Sequence, residues 1–187
     1  MKFIETPLKG AYVIEPNKIG DQRGFFARLF CAEVFNEHGL EHNFVQINNS
    51  LSHERGTLRG LHYQLPPKEE VKVVKCVQGS VYDVIVDLRP DSETFGQSFS
   101  AHLGGGNGLM MYVPKGFAHG FYVLQPDTEI VYFVSEYYTP ELERGVRWDD
   151  PYFNIEWPRA PTVLSEKDSQ LPDFDEKTHR EAYYTLV

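Results

Sequence analysis

Alternation is the feature that most constrains this chain. Residues 71–77 read VKVVKCV, Gly79 and Ser80 give a turn signal, and residues 81–88 read VYDVIVDL. In the second run Tyr82, Val84, Val86 and Leu88 share one parity, while Asp83 and Asp87 sit on the other. A period of two residues excludes an amphipathic helix and predicts a half-buried strand with the apolar set turned inward. The same rhythm recurs at residues 11–16, 44–47, 95–103, 109–113, 120–124 and 130–138, where Ile130, Tyr132 and Val134 fall on one face. Gly104-Gly105-Gly106-Asn107 is a turn, and an aromatic segment at 25–30 follows the turn-rich GDQRG. One helix is expected, over 32–38, stopped by Gly39. Beyond Pro140 the chain reads as irregular, with Trp148, Trp157 and a polar tail. Many short strands at intervals of roughly 8–12 residues with one clear helix imply an all-β barrel or jelly-roll sandwich. An aromatic content of 14% would fill such an interior.

Composition narrows the function. The formal net charge of −9 lacks the basic footprint of a nucleic-acid binder, so no nucleic-acid partner is expected. Any anionic ligand would have to be met by Lys and Arg gathered locally. No apolar stretch approaches the ~20 residues that cross a bilayer, and the start, MKFIETPLKG, has no apolar leader core. Cys31 and Cys76 are read as free thiols of a chain working in a reducing cytoplasm. Neither repeats nor a linker divides the chain, so residues 1–187 are expected to form one domain, with a core at about 3–170 and a polar C-terminal tail.

Residues 108–119 read GLMMYVPKGFAH, with the spacing Gly, five residues, Pro-x-Gly, two residues, His. This resembles the second sequence motif of the cupin superfamily, except that Val123 stands where Asn often closes it. The resemblance implies a double-stranded jelly-roll (cupin) barrel in which Pro114 and Gly116 turn the chain and His119 points inward. Metal-dependent cupins add an upstream His-x-His, but GLHYQ at 60–64 supplies His62 alone. A transition-metal site needs three or four converging ligands, so neither a metal nor any other cofactor is expected.

Further blocks align with these. They are DQRGFF at 21–26, LRGLHYQ at 58–64, Lys72 thirteen residues after Arg59, GSVYDVIVDLR at 79–89, TFG at 94–96, PKGFAHGF at 114–121, EWP at 156–158 and LSEKD at 164–168. In this order and spacing the chain resembles the dTDP-4-dehydrorhamnose 3,5-epimerase family over roughly residues 3–170. The resemblance implies a metal-free enzyme that inverts C3 and C5 of a nucleotide-linked 4-keto-6-deoxy sugar. A hydrogen on carbon beside a ketone is weakly acidic. Removing it leaves an enolate, and returning it from the other face inverts the centre, which requires a base, an oxyanion stabiliser and an acid opposite the base.

The family pattern assigns these roles. His62 is the base, since a free imidazole titrates near ~6.5 and is mostly neutral at pH 7. Asp168 orients it and stabilises the imidazolium. Tyr132 is the acid, and Lys72 and His119 surround the enolate. Arg59 and Arg23 would hold the diphosphate, Arg offering a planar fork for phosphate oxygens. Phe26, Gln46, Asn48 and Tyr138 would frame the nucleotide. Arg23 and Phe26 lie in an N-terminal strand arm that would cross to a second copy, making a homodimer by strand exchange.

The chain departs from the pattern at Arg28, where relatives often carry Glu, and at Ile47, where they often carry Asp. These changes bear on the nucleotide base. Alternatives stay open: inversion at C3 only, a CDP- or GDP-linked sugar, or a non-catalytic or metal-binding cupin that binds sugars.

Overall fold

The computed structural model describes residues 1–186. Its larger sheet has six strands in the order β1 (Lys2–Glu5), β2 (Tyr12–Glu15), β10 (Met110–Val113), β7 (Lys72–Gln78), β12 (Thr128–Val134) and β5 (Gln46–Ser52). The smaller has five: β13 (Glu143–Gly145), β6 (Leu58–Gln64), β11 (Phe117–Val123), β8 (Ser80–Asp87) and β9 (Ser98–Gly104). From β5 onward the chain changes sheet at every step except the β8–β9 hairpin, which is a jelly-roll path. The fold is thus all-β, as the alternation implies. The sheets face each other as a sandwich, and no ladder among the described residues joins them into a closed barrel. A separate hairpin, β3 (Lys18–Asp21) with β4 (Gly24–Ala27), leaves Ile19, Phe25 and Phe26 exposed and is tied to the body by Lys18 Nζ, which donates to the Gly106 and Asn107 carbonyls.

Side chains alternate along each strand, so each sheet has two faces to bury. The inner faces meet in a core of Val13, Val74, Cys76, Val81, Ile85, Met111, Phe117, Phe121 and Ile130. The outer face of the larger sheet is covered by α1 (Ala32–Glu37) and the segments beside it, through Phe35, Phe30 and Phe44. The helix falls where the residue pattern places it. The outer face of the smaller sheet is covered by the chain after β13, through Val146, Phe153, Trp157, Phe174 and Ala182.

That last layer corrects two expectations. Strand β8 is not half-buried: Val84 and Val86 pack under the C-terminal layer, while Asp83 and Asp87, on the opposite parity, are fully buried. The polar tail is not irregular either. Residues after Asp175 form α3 (Glu176–Leu186), whose His179 is buried and whose ring Nε2 donates to the Leu88 carbonyl at 2.7 Å. Several strands are also displaced from their expected limits. Phe95 lies in a loop before β9, where it packs against Phe174 and His179. Strand β5 runs on through the polar NNSLS because only one of its edges is paired, to β12.

Strands β6 and β11 come unusually close. A Cβ on Gly60, whose φ is +108°, would lie 2.6 Å from the Gly120 Cα and 2.7 Å from the His119 carbonyl oxygen. A Cβ on Gly120 would lie 2.7 Å from the Arg59 carbonyl oxygen. The ladder shifts register at this point, immediately beyond the pair His119–His62. Since backbone meets backbone, Gly120→Ala is expected to cost about 3 kcal/mol or more in urea unfolding, where an ordinary substitution costs about 1. A loss below about 1 kcal/mol would show that the strands can part.

Candidate active site

The sandwich opens at one end into a cleft of about 840 Å³. The smaller sheet brings Arg59 and His62 on β6 and His119 on β11 to one wall. The larger sheet brings Lys72 on β7, Tyr132 on β12, and Gln46 and Asn48 on β5 to the other. The parity shared by Ile130, Tyr132 and Val134 is the reason Tyr132 faces inward: Ile130 packs in the inner core, and Val134 and Tyr132 line the cleft. Tyr138 and the short helix α2 (Glu166–Ser169), which carries Asp168, complete the rim.

The centre of the smaller-sheet wall is a histidine–aspartate pair. His62 Nε2 donates to Asp168 Oδ1 at 2.6 Å, and Asp168 is the more buried partner, its side chain 4% exposed against 30% for His62. With the Nε2–H donated to the carboxylate, a neutral ring presents Nδ1 as its lone-pair nitrogen. Asp168 Oδ2 also accepts from the Gly60 N–H at 3.4 Å, and the Asp168 N–H donates to Ser165 Oγ at 3.0 Å, an N-cap that starts α2. Burial alone would push the Asp168 carboxyl up. The His62 hydrogen bond and charge, with help from Gly60 and Ser165, outweigh it and hold the carboxyl below its ordinary 3.8.

Each remaining inward charge has a partner that residue patterns did not single out for the site. His119 Nε2 donates to Asp83 Oδ2 at 2.8 Å inside the sandwich, leaving Asp83 Oδ1 without a hydrogen-bond partner. Lys72 Nζ pairs with Glu70 Oε1 at 2.9 Å and donates to the His62 carbonyl at 3.3 Å. An aspartate interrupting a run such as VYDVIVDL is a signal for Asp83. Glu70 carries none beyond its place two residues before Lys72. Glu143 on β13 accepts from Tyr138 Oη at 2.7 Å and from Lys167 Nζ at 2.5 Å. Arg59 differs. Its guanidinium donates to Ser52 Oγ at 3.1 Å and the Leu51 carbonyl at 3.2 Å, with no carboxylate partner among the described residues.

Two expected binding residues are not in the cleft. Arg23 lies on the exposed β3–β4 hairpin with its guanidinium paired to Asp21 at 2.5 Å, and Phe26 is 65% exposed on the same hairpin. Neither side chain lines the cleft, so one copy of the chain does not bring them to its own site. Arg28 is exposed just beyond the hairpin, and Ile47 is 63% exposed, on the parity opposite Gln46 and Asn48. Among the described residues, no three His, Cys, Asp or Glu side chains converge as a metal-ligand set. No described helix is long and apolar enough to cross a membrane.

Fold and cleft together define a class: a cupin-type jelly roll with a histidine–aspartate pair in a cleft between its sheets. The model of the family described as dTDP-4-dehydrorhamnose 3,5-epimerase matches residues 5–176. The dTDP-4-dehydrorhamnose 3,5-epimerase of Sinorhizobium fredii is 45% identical over 177 residues, which cover 94% of this chain and 91% of the relative. The crystal structure of the Bacillus anthracis enzyme with TDP and PPi bound superposes with a TM-score of 0.89 at 46% identity, covering 92% of this chain and 99% of that one. The Legionella pneumophila dTDP-6-deoxy-D-glucose-3,5-epimerase, in complex with dTDP-4-keto-L-rhamnose, gives a TM-score of 0.85 at 40% identity over 93% and 98% of the two chains. The chain belongs to the dTDP-4-dehydrorhamnose 3,5-epimerase family.

The His62–Asp168 pair has a measurable pH signature. A carboxyl depressed in the folded state stabilises the fold above its unfolded pKa and loses that contribution as pH falls through the folded value. The stability advantage of the wild type over Asp168→Asn, from urea unfolding, is therefore expected to be full above about pH 5 and to shrink as pH falls below about 4. A difference that stays constant through this range would remove the ion-pair account.

Proposed function

We propose that this chain is a single-domain 3,5-epimerase acting on dTDP-4-keto-6-deoxy-D-glucose and giving dTDP-4-keto-L-rhamnose by metal-free proton transfer. The observation that carries the reading is the opposition of the two walls: His62, backed by buried Asp168, faces a cleft whose other wall presents Lys72 and Tyr132. Epimerisation needs a base on one face of the sugar and an acid on the other. A sandwich whose sheets each contribute one supplies both.

His62 Nδ1 takes the proton from the carbon beside the ketone. The negative charge gathers on the ketone oxygen, and Asp168 stabilises the imidazolium that forms. Lys72 Nζ donates to the enolate oxygen, an interaction worth more in a water-poor cleft than in solution. His119, anchored by Asp83 through Nε2, completes the surround of the same oxygen. Tyr132 returns a proton from the opposite face. His62 then yields its proton to water and the Tyr132 phenolate takes one back from water, and repeating the cycle on the other side of C4 inverts the second centre, since C3 and C5 flank the same carbonyl. Arg59, the cleft guanidinium without a carboxylate partner, holds the diphosphate, while Gln46, Asn48 and Tyr138 frame the nucleotide.

Arg23 and Phe26 serve a second copy. The hairpin leaves apolar side chains exposed, β5 offers a free strand edge with Ile47 and Leu51 outward, and an aromatic arm laid along such an edge makes a two-fold dimer. The chain works in the cytoplasm, where sugar nucleotides are made.

Solvent exchange tests the reading. With the dTDP-linked 4-keto-6-deoxy sugar in D₂O, nuclear magnetic resonance is expected to show deuterium entering at both C3 and C5. Exchange at C3 alone would restrict the activity to a single centre. His62→Asn should lower exchange by ~10² to 10⁴-fold, the usual contribution of general acid–base catalysis. Tyr132→Phe should retain abstraction but lose correct reprotonation at C5, and an unchanged product ratio and rate would count against its role as acid. Treatment with a chelator should leave turnover intact. Loss of turnover restored by an added divalent cation would overturn the metal-free mechanism.

A further inference from the structure

Asp168 sits on the shortest element of the site. Helix α2 is a single turn of four residues, and a turn of that length has no stability of its own. The segment entering it is tied to β6 by the Thr57–Val163 bridge and by the Leu58 N–H to the Val163 carbonyl at 3.0 Å, and the turn itself is held by the Ser165 cap, the Asp168 contacts to His62 and Gly60, and one ion pair from the residue next to Asp168. In that pair Lys167 Nζ donates to Glu143 Oε2 at 2.5 Å. Glu143 is rooted on β13, whose ladder to β6 pairs Glu143 with Gln64 and Gly145 with His62. The ion pair therefore joins the helix that carries Asp168 to the strand lying beside the histidine that Asp168 serves. The same Glu143 oxygen accepts from Tyr138 Oη at 2.7 Å, so one carboxylate fastens both α2 and the loop after β12 at the cleft rim.

The chemistry of the cluster agrees. Glu143 is largely buried, with its side chain 16% exposed, and burial pushes its carboxyl up. The Lys167 and Tyr138 hydrogen bonds, with the positive charges of Lys167 and His62, hold it below its ordinary value. A carboxylate so placed is held by both donors, and losing either leaves α2 or Tyr138 with one restraint fewer.

We infer that Glu143 is a positioning residue for the His62–Asp168 pair, acting through Lys167 to fix α2 against β6. Glu143 lines the cleft, and the proposed role runs through Lys167 and Asp168 and not through the reacting atoms. Its effect falls on the angle and distance at which Asp168 meets His62, and a displacement of about 1 Å in such a pair can cost ~10²-fold in rate. The consequence for catalysis rests on the epimerase reading. The tie itself does not, and the experiment separates them.

Lys167 is more than half exposed, so Lys167→Met is expected to fold and to remove the tie alone. In wild-type protein the His62 Nε2–H proton, held by Asp168, should give a slowly exchanging downfield proton resonance. That signal should broaden or vanish in Lys167→Met and Glu143→Gln and persist in Lys167→Arg, which keeps the ion pair. A signal unchanged in Lys167→Met would overturn the proposal whether or not the protein is an epimerase. In the exchange assay with the dTDP-linked keto sugar, Lys167→Met should lower kcat about tenfold with KM within about threefold. The double variant Glu143→Gln/Lys167→Met should be no slower than the worse single one, because both changes cut the same tie. A raised KM with unchanged kcat would make Lys167 a substrate contact instead, and multiplying losses would give the two residues separate roles. Absence of any wild-type exchange would sink the epimerase reading and leave the resonance to judge the tie.

Discussion

Charges turned into a jelly roll must be matched there, and that requirement organises the site. Moving an ionised group out of water costs several kcal/mol unless a partner and hydrogen bonds meet it. This sandwich meets the requirement pair by pair: His62 with Asp168, His119 with Asp83, Lys72 with Glu70, and Arg89 with the fully buried Asp87. Each pair joins two strands, or a strand to a helix or loop, so the pairs also fix geometry. Asp87 shows the structural use of the device. It accepts from Arg89, Ser92 and Thr94, and these bonds overcome its burial to hold its carboxyl below the ordinary range. The pairs around the cleft keep something in reserve. Glu70 and Asp83 each leave one buried oxygen without a partner, a cost of about 1–3 kcal/mol apiece that a purely structural pair would avoid.

The depth of that interior comes from covering both sheets on both faces. The residues after β13 spread Val146, Phe153, Phe174 and Ala182 over the outside of the smaller sheet. His179, on the buried side of α3, accepts from Tyr63 Oη at its Nδ1 at 3.1 Å and donates from Nε2 to the Leu88 carbonyl. Tyr63 is the neighbour of His62 on β6, on the opposite parity. The strand that carries the histidine is thus clamped from behind while its other face looks into the cleft. Close approach of Gly60 and Gly120 does the same along the sheet, setting β6 and β11 so that His119 and His62 are direct partners in the ladder.

How much of this was legible without coordinates follows from what period-two patterns can carry. Alternation at 71–77, 81–88 and 130–134 located the strands and turned Tyr132 inward correctly, because side-chain parity is a property of one strand alone. Parity says nothing about a second covering layer, so strand 81–88 read as half-buried although both its faces are enclosed. The tail failed for a related reason. Its helix is polar on most of its surface and is ordered by a few contacts, such as His179 beneath Tyr63, that link residues far apart in the chain. Motif spacing brought His62, Lys72 and His119 together, and LSEKD supplied Asp168. Glu70 and Asp83, the partners of Lys72 and His119, went unassigned, as did Glu143 beneath Tyr138 and Lys167, since an acidic residue on a strand or loop is ordinary until something faces it.

The same reasoning resolves the apparent conflict between an acidic chain and an anionic ligand. A net charge of −9 is spread over the whole surface, whereas screening at physiological salt confines each exposed charge to about 8 Å. What the ligand meets is the local balance. In the cleft, Lys72 and Lys167 are each answered by a glutamate, but Arg59 is tethered only by Ser52 Oγ and the Leu51 carbonyl. These neutral acceptors orient the guanidinium without cancelling it. An anion arriving there finds a fixed, uncompensated fork in a cleft with His62 on one wall and Tyr132 on the other.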